Sequence, residues 1–251
     1  MRLPIFQIDA FADRPFTGNP AAVMPLEAWL PDALMQEIAA ENNLSETAFL
    51  VREPGGWRMR WFTTVTEVDL CGHATLAAGH VVMEELEPGL TEVHFQSRSG
   101  RLGVQREGDR YVLDFPARPG RPVPDLLDAV TRVLGQPPQE VLQARDLVMV
   151  LPDEAAVRSF RPDFEALRTL PGMGKLITAR GNEVDCVSRC FFPGDGVPED
   201  PVTGSAHCTL IPYWAERLGR TRLSAFQASA RGGHLACELQ GDRVQIGRAH
   251  V

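Results

Sequence analysis

The sequence predicts a mixed α/β protein made of two similar lobes, and three observations support this prediction. A short motif occurs once in each half of the chain. Strand-like and helix-like stretches alternate in both halves. Between them lies a connector at residues 116–124, where four prolines in nine residues disfavour a regular helix. Two duplicated lobes that face each other across a cleft account for all three observations.

The repeated motif reads as a strand ending in Arg-x-Phe, a loop that carries an acidic residue, and Gly-x-Ala at the start of a helix. Its first copy lies within residues 60–74 and its second within residues 189–206. Free amides at a helix start, together with the helix dipole, bind a carboxylate or phosphate without a basic side chain. Gly72 and Gly204 are therefore candidates for holding a small anion. The alternative is that these glycines only permit tight turns and that the residues after them only cap helices.

Hydrophobic spacing predicts the helices, and β-branched and aromatic runs predict the strands. The run Thr47–Val51 is β-prone and carries Glu46 at its entrance. Pro212 lies inside a helical pattern, where it should kink or restart the helix. The predicted helices span Asp32–Asn43, Ala74–Leu86, Asp125–Leu134 and Ala206–Leu218.

Composition excludes several classes of protein. The chain of 251 residues is 44% hydrophobic and 23% charged, as expected of a globular protein that buries a core. Its formal charge of −8 disfavours a surface for nucleic acids or anionic membranes, which needs clustered Lys and Arg. No stretch approaches the length of an apolar membrane span. We therefore expect a cytoplasmic protein with no nucleic-acid or membrane partner.

The cysteines indicate reduced thiols, because the chain has 5 of them without the spacing of a disulfide framework. Cys186 and Cys190 could form half of a metal site. They lie in a strand-like run, however, where residues four apart face the same side, so a buried structural role is favoured. No metal-ligand spacing and no complete nucleotide-binding motif occurs elsewhere, and we expect no metal and no cofactor.

Five segments occur in an order that is typical of one family. They are residues 16–23 (FTGNPAAV), 43–49 (NLSETAF), 71–75 (CGHAT), 188–191 (SRCF) and 199–207 (EDPVTGSAH). With these segments the chain resembles the phenazine-biosynthesis-like PhzF family. The resemblance implies a diaminopimelate-epimerase-like fold, with two pseudo-symmetric lobes that each wrap a curved β-sheet or barrel around a central helix.

The resemblance also refines the expected domains. The first lobe is predicted to span residues 1–115 and the second residues 125–243, with the connector 116–124 between them. The segment 244–251 is expected to return to the first lobe and complete it.

Members of the wider fold include racemases and epimerases that use two facing thiols. Aligning the two motif copies places Cys71 opposite Thr203 in the repeat. A threonine hydroxyl is far too weak an acid or base near neutral pH to partner a catalytic thiol. The sequence therefore argues against a two-thiol enzyme and favours a packing role for Cys71.

The resemblance implies instead one carboxylate, Glu46, that removes a proton from one carbon of the substrate and returns it to another. It further implies two supporting acid–base groups and four contacts to the substrate. The supporting groups are Asp200 and His73, and the contacts are Asn19, Gly72, Gly204 and Ser205. From the residues alone, a Glu at a helix-to-strand turn is most often exposed and structural. Asp200 before a proline also fits an ordinary turn, and His73 also fits a buried imidazole with a structural role.

The sequence thus predicts a cofactor-independent isomerase that acts on a small carboxylate in the inter-lobe cleft. Two alternatives stay open. One is a small-ligand-binding or interaction protein that keeps the cleft without turnover. The other is an epimerase at one stereocentre, which needs a second base opposite Glu46, with Cys71 and Asp200 as candidates. The resemblance also suggests a homodimer.

Overall fold

A computed structural model describes residues 2–12, 14–108 and 110–247, in which the chain forms two compact units. Unit 1 runs to Asp114 and includes Gly247, and unit 2 runs from Phe115 to Ile246. The connector 116–124 groups with unit 2. Of the segment predicted to complete the first lobe, residues 244–246 group with unit 2, and residues 248–251 lie outside the described part of the chain.

In its described residues, unit 1 combines a run of paired strands with two α-helices. Its helices are α1 (Asp32–Asn42) and α2 (Gly72–Val81), and α2 continues into a π-helical turn, Val82–Leu86. Its strands are β1 (Phe6–Ala10), β2 (Asn19–Leu26), β3 (Glu46–Glu53), β4 (Gly56–Phe62), β5 (Glu67–Val68), β6 (Glu92–Ser97), β7 (Gly100–Glu107) and β8 (Arg110–Pro116), the last of which runs into unit 2.

Helix α2 forms the centre of unit 1. Every residue of α2 except His80 is buried, which agrees with its apolar sequence. The helix lies against β1, β2, β3 and β7. Gly79 permits the close approach to β7, because a Cβ there would lie 2.6 Å from a methyl of Val104. Helix α1 covers the other side of β3, where Met35 and Ala39 pack against Phe49 and Phe62.

Unit 2 contains four helices and the remaining strands. The helices are α3 (Leu127–Leu134), α4 (Glu154–Ser159), α5 (Phe164–Arg168) and α6 (Gly204–Leu218). The strands are β9 (Arg121–Pro122), β10 (Glu140–Gln143), β11 (Leu147–Val150), β12 (Lys175–Arg180), β13 (Cys186–Phe192), β14 (Val197–Asp200), β15 (Arg222–Gln227), β16 (Gly233–Gln240) and β17 (Arg243–Gly247). The connector is thus not an isolated linker, because β9 pairs with β10.

The two units repeat one pattern of strand pairing. In unit 1, β1 is antiparallel to β2, β2 is parallel to β3, β3 is antiparallel to β4, and β4 is parallel to β6. In unit 2, β10 to β13 and β15 follow the same order of antiparallel and parallel pairs. The central helix follows β5 in one unit and β14 in the other. The repeated sequence motif therefore corresponds to a repeated arrangement of strands and a central helix.

The helices differ from the prediction at several of their ends and at Pro212. Helices α2 and α6 begin at Gly72 and Gly204, two residues earlier than predicted, so both glycines are the first residues of their helices. Helix α6 continues through Pro212 without restarting. Pro212 has no N–H to donate to the carbonyl of Cys208, four residues earlier. That carbonyl accepts a hydrogen bond from the backbone amide of Arg118 instead. The connector thereby supplies the hydrogen bond that the proline removes.

All 5 cysteines are free thiols, as predicted, and all are buried. Cys186 and Cys190 both lie in β13, whose residues are buried throughout. Within the described ranges, no helix is long and apolar enough to span a membrane.

Candidate active site

Glu46 is the first residue of β3, and the local sequence explains its position. Helix α1 ends at Asn42, and the next residue, Asn43, adopts a left-handed conformation with φ 51°. The chain then enters the β-prone run after Glu46 and pairs in parallel with β2, where Ala21 lies beside Glu46. The Glu46 side chain is only 15% exposed. It is therefore not the exposed turn residue that the sequence alone favours.

His73 lies beside Glu46. It is the second residue of α2, and its Nε2 is 3.2 Å from Oε2 of Glu46. On the other side of the ring, the amide nitrogen of Asn19 is 3.1 Å from Nδ1. An amide nitrogen only donates, so Nδ1 accepts and the ring proton lies on Nε2, which faces the carboxylate. Burial lowers the pKa of His73 to about 3, so the imidazole is neutral at physiological pH.

Cys71 completes this cluster. It precedes α2 in an extended conformation, and its Sγ is 3.5 Å from Nδ1 of His73. Taking one ligand atom from each of Glu46, Cys71 and His73, the three atoms lie within 4.8 Å of one another. Thr75 fixes the segment by donating its hydroxyl to the carbonyl of Cys71. The cluster thus joins a carboxylate, an imidazole and a thiol in one buried place.

In unit 2, Asp200 lies at the end of β14 and is buried. Its carboxylate accepts the hydroxyl of Thr203. Gln227 connects both residues, because its amide nitrogen donates to the carbonyl of Asp200 at 2.7 Å and its oxygen accepts the amide of Thr203 at 2.8 Å. The turn that leads into α6 is therefore held by side-chain hydrogen bonds.

Ser205 is the second residue of α6, directly after Gly204. Its hydroxyl accepts a hydrogen bond of 3.1 Å from Arg145, which lies in the turn between β10 and β11. Arg145 also approaches the carboxylate of Asp146 at 3.4 Å. Ser205 is thus oriented by a guanidinium group.

Each unit also contains a mostly buried pair of Arg and Glu that braces the strand before the central helix. Arg60 binds Glu67 through two bonds of 2.7 and 2.8 Å, and Arg189 binds Glu199 through two bonds of the same lengths. Such bidentate pairs are the strong, directional form of the interaction. They fix the strands that lead to Cys71 and to Asp200.

The profile of the family described as "Phenazine biosynthesis-like protein" (PhzC-PhzF) matches residues 8–251. The chain belongs to this family. A relative in Pseudomonas aeruginosa, named an uncharacterized isomerase, is 56% identical over 98% of this chain and 94% of its own length. An uncharacterized isomerase of Halalkalibacterium halodurans is 43% identical over 97% and 94% of the two chains. These names confirm the isomerase prediction at the level of enzyme class.

Solved structures confirm the predicted fold. A PhzF-family protein of Enterococcus faecalis shares 50% identity, with a TM-score of 0.91 over 98% of this chain and 95% of the other. A hydroxyproline epimerase of Agrobacterium vitis shares only 8% identity but the same fold, with a TM-score of 0.62 over 98% of this chain and 88% of the other. The diaminopimelate-epimerase-like architecture of this PhzF-family chain is therefore established.

The structure brings predicted site residues into contact in unit 1, whereas in unit 2 the predicted residues lie close together in sequence. In unit 1, Glu46, His73 and Asn19 are in contact, with Gly72 beside them at the start of α2. In unit 2, Gly204 and Ser205 begin α6, close in sequence to Asp200. Their roles in this PhzF-family chain stay predictions.

Sequence reasoning missed two contacts. One is Arg145, which carries no motif signal because it lies in an ordinary turn of unit 2. The other is the contact between Cys71 and His73, which are two residues apart but could not be predicted to converge on Glu46. The one sequence signal for this contact was the adjacent helix start, because the partial positive charge of a helix N-terminus favours nearby polar and acidic groups.

Proposed function

We propose that this chain is a cofactor-independent isomerase of the PhzF-like family that moves a proton between two carbons of a small carboxylate, with Glu46 as the acid and base. The observation that supports this most directly is the 3.2 Å approach of Nε2 of His73 to Oε2 of Glu46. A mostly buried carboxylate at the start of a strand is held against a neutral imidazole. Burial and a fixed position are what a carbon base requires.

The proposed reaction has two proton transfers. The Glu46 carboxylate takes a proton from a carbon that is activated by a neighbouring carboxylate or double bond, and the electron pair of the C–H bond moves into the substrate π system. The protonated Glu46, whose O–H exchanges with solvent, then donates a proton to a second carbon. The base returns to its starting state, so one residue suffices and no oxidant or reductant is consumed.

His73 is a positioning residue in this proposal. Its Nε2 lies 3.2 Å from Oε2 of Glu46, outside hydrogen-bond geometry, so the neutral ring confines the carboxylate without adding a full positive charge. A charged imidazole would hold the carboxylate in its ionised form and weaken it as a base. The neutral state therefore suits a carboxylate that must both accept and return a proton.

The substrate carboxylate is proposed to bind at a helix start. The amides of Gly72 and its neighbours open α2 beside His73, and the helix dipole favours an anion there. For unit 2 we keep the roles that the family resemblance implies for Gly204, Ser205 and Asp200. Separate variants test these roles. Ser205→Ala should raise KM if it binds the carboxylate, whereas Asp200→Asn should lower kcat if it supports proton transfer.

The decisive experiment is deuterium exchange in heavy water with a panel of small amino and cyclic unsaturated carboxylates. Wild-type protein should place deuterium on substrate carbon, detected by mass spectrometry, and Glu46→Gln should lower the rate by about 10²- to 10⁴-fold. Glu41→Gln, on an exposed position of α1, is the matched control and should exchange like the wild type.

The position of the label separates the remaining possibilities. Deuterium at a carbon other than the one that lost its proton supports isomerisation. Label confined to one stereocentre, with loss of stereochemistry that depends on Cys71, would support the single-centre epimerase. A carboxylate that binds tightly and exchanges with no dependence on Glu46 would overturn the assignment of the base.

A further inference from the structure

Three different kinds of metal ligand meet beside the central helix of unit 1. They are the carboxylate of Glu46, the thiol of Cys71 and the imidazole of His73. Sequence spacing did not predict this group, because Glu46 lies on β3 and the other two residues lie at the start of α2. Each of these side chains is a ligand of zinc, and zinc sites with three protein ligands leave a fourth coordination position open.

The separations within the group suit a tetrahedral ion. Zinc bonds of about 2.3 Å to sulfur and about 2.0 Å to nitrogen place those two atoms about 3.5 Å apart at a tetrahedral angle. The Sγ atom of Cys71 is 3.5 Å from Nδ1 of His73. Nε2 of the same ring is 3.2 Å from Glu46, near the separation of about 3.3 Å expected between zinc-bound nitrogen and oxygen.

These two short distances involve different nitrogens of the ring, so an ion must draw one side chain closer. Taking one atom from each residue, no separation exceeds 4.8 Å. The required movement is about 1 Å, which is within a small rotation of the Cys71 or Glu46 side chain. The backbone on both sides is already ordered, by the pairing of β3 with β2 and by the first turn of α2.

The group also has a polar side chain beside the ring nitrogen that would not bind the ion. In metal sites that nitrogen normally donates its N–H to an acceptor, which fixes the orientation of the imidazole. The amide nitrogen of Asn19 lies 3.1 Å from Nδ1. An ion on Nε2 places the ring proton on Nδ1, so the Asn19 amide must then turn to present its oxygen to that nitrogen.

We propose that Glu46, Cys71 and His73 form a binding site for a thiophilic divalent cation such as Zn²⁺, and that the bound ion switches off proton transfer. This inference rests on the proposed function for its consequence, since the ion would occupy the Glu46 oxygen that accepts the substrate proton. On binding, the thiol of Cys71 loses its proton to solvent and the thiolate bonds to the ion. The site is thus inhibitory rather than a cofactor site.

Cobalt(II) provides a readout of the site that does not depend on turnover. Titration of the purified protein with Co²⁺ should give one equivalent of tightly bound ion and a thiolate-to-cobalt charge-transfer band in the near ultraviolet. Cys71→Ala should lose that band. Its zinc affinity should fall by at least about 100-fold, because removing even an outer hydrogen-bonding partner of a metal ligand costs about 10- to 100-fold.

Cys237→Ala is the matched control, because Cys237 and Cys71 are equally buried at 4% exposure. This variant should keep both the band and the stoichiometry. If Cys71→Ala does not fold, X-ray absorption of the zinc-loaded wild type decides the question, since the site requires one sulfur at about 2.3 Å together with nitrogen and oxygen ligands. A band that persists in Cys71→Ala, or a zinc shell without sulfur, would overturn the site.

The inhibitory consequence is tested separately. One equivalent of Zn²⁺ should stop deuterium exchange in the wild type, and a chelator should restore it. Cobalt binding without any exchange activity would count against the proposed isomerase but support the metal site. Exchange that is unaffected by bound zinc would reject the inhibition.

Discussion

In unit 1 Arg60 lies opposite Phe49 on the neighbouring strand, and in unit 2 Arg189 lies opposite Ile177. Aligning the units on these pairs places Gly174 of unit 2 where unit 1 has Glu46. A side chain at Gly174 is excluded, because its Cβ would lie 2.6 Å from the ring of Phe192. The carboxylate proposed as the base therefore exists in one unit only.

The same alignment extends to the helix starts. Cys71 corresponds to Thr203 and His73 to Ser205, while Val68 corresponds to Asp200. A strand-end carboxylate, Asp200, thus belongs to unit 2 alone. The strand order, the central helix and the Arg–Glu pair are retained in both units. The comparison teaches that the duplicated scaffold has been kept while the side chains that could perform chemistry have diverged.

Among the features that both units retain, the two Arg–Glu pairs are expected to differ most in how much they stabilise the fold. Arg189→Met should lower the free energy of unfolding by about 3–5 kcal/mol, as expected when one member of a buried pair is removed. Arg189 also donates to the carbonyl of Phe160 at 2.7 Å. Arg60→Met should cost less, about 1–3 kcal/mol, because Glu67 keeps a second partner, Arg98, at 2.7 Å.

Urea unfolding followed by circular dichroism measures both losses. Arg132→Met, on an exposed position of α3, is the control and should change stability little. Equal losses of unfolding free energy in the two variants would contradict this prediction. They would show that the contacts to Phe160 and Arg98 do not make the two pairs differ in strength.

A second prediction concerns Thr75, four residues after Cys71, and its counterpart His207, four residues after Thr203. In unit 1 Thr75 donates to the carbonyl of Cys71, and in unit 2 His207 donates from Nδ1 to the carbonyl of Thr203 at 2.8 Å. Burial lowers the pKa of His207 to about 4. The unfolded chain therefore binds the extra proton first, and the folded state loses stability as the pH falls from about 6.5 towards 4.

This histidine should contribute up to about 3 kcal/mol of acid destabilisation over that pH window. His207→Thr, the residue that unit 1 uses, can keep the hydrogen bond and removes the titration, so stability should depend less on pH even if a cavity lowers it at pH 7. Urea unfolding between pH 4 and pH 7 is the measurement, with His94→Asn as a half-exposed control. An unchanged pH dependence in His207→Thr would contradict the assignment.

Local chemistry explains which features could be predicted from the sequence. The β-prone run after Glu46 and the apolar pattern after His73 place both residues at element starts. The helix starts themselves were predicted two residues late, because Cys71 and Thr203 precede the helices without forming the usual side-chain cap within the described contacts. Tertiary context decided these boundaries rather than local propensity.

Features that depend on distant partners could not be predicted. Continuity of α6 through Pro212 depends on the amide of Arg118, far away in the sequence. The orientation of Ser205 depends on Arg145, and the convergence of Cys71 and Glu46 depends on how β3 lies against α2. Periodicity and motif spacing carry no information about such contacts.

The smallest expected effect concerns Asn19, which binds His73 in unit 1. Ser205, the counterpart of His73 in unit 2, is bound by Arg145 instead. In the wild type its amide donates to Nδ1 of His73 and keeps the ring proton on Nε2. Asn19→Asp has the same shape but only accepts, so the proton should move to Nδ1 and the lone pair of Nε2 should face Glu46. A lone pair in place of an N–H beside the Glu46 carboxylate should slow deuterium exchange by about tenfold, or about 1.4 kcal/mol.

Nitrogen-15 chemical shifts of the His73 ring identify which nitrogen carries the proton and separate this effect from general damage. The wild type should show the Nε2–H form and Asn19→Asp the Nδ1–H or doubly protonated form, while Asn182→Asp in unit 2 should match the wild type. If the wild-type ring already carries its proton on Nδ1, Asn19 does not set the tautomer. Glu46 would then face an unprotonated nitrogen, and the positioning role proposed for His73 would fail with it.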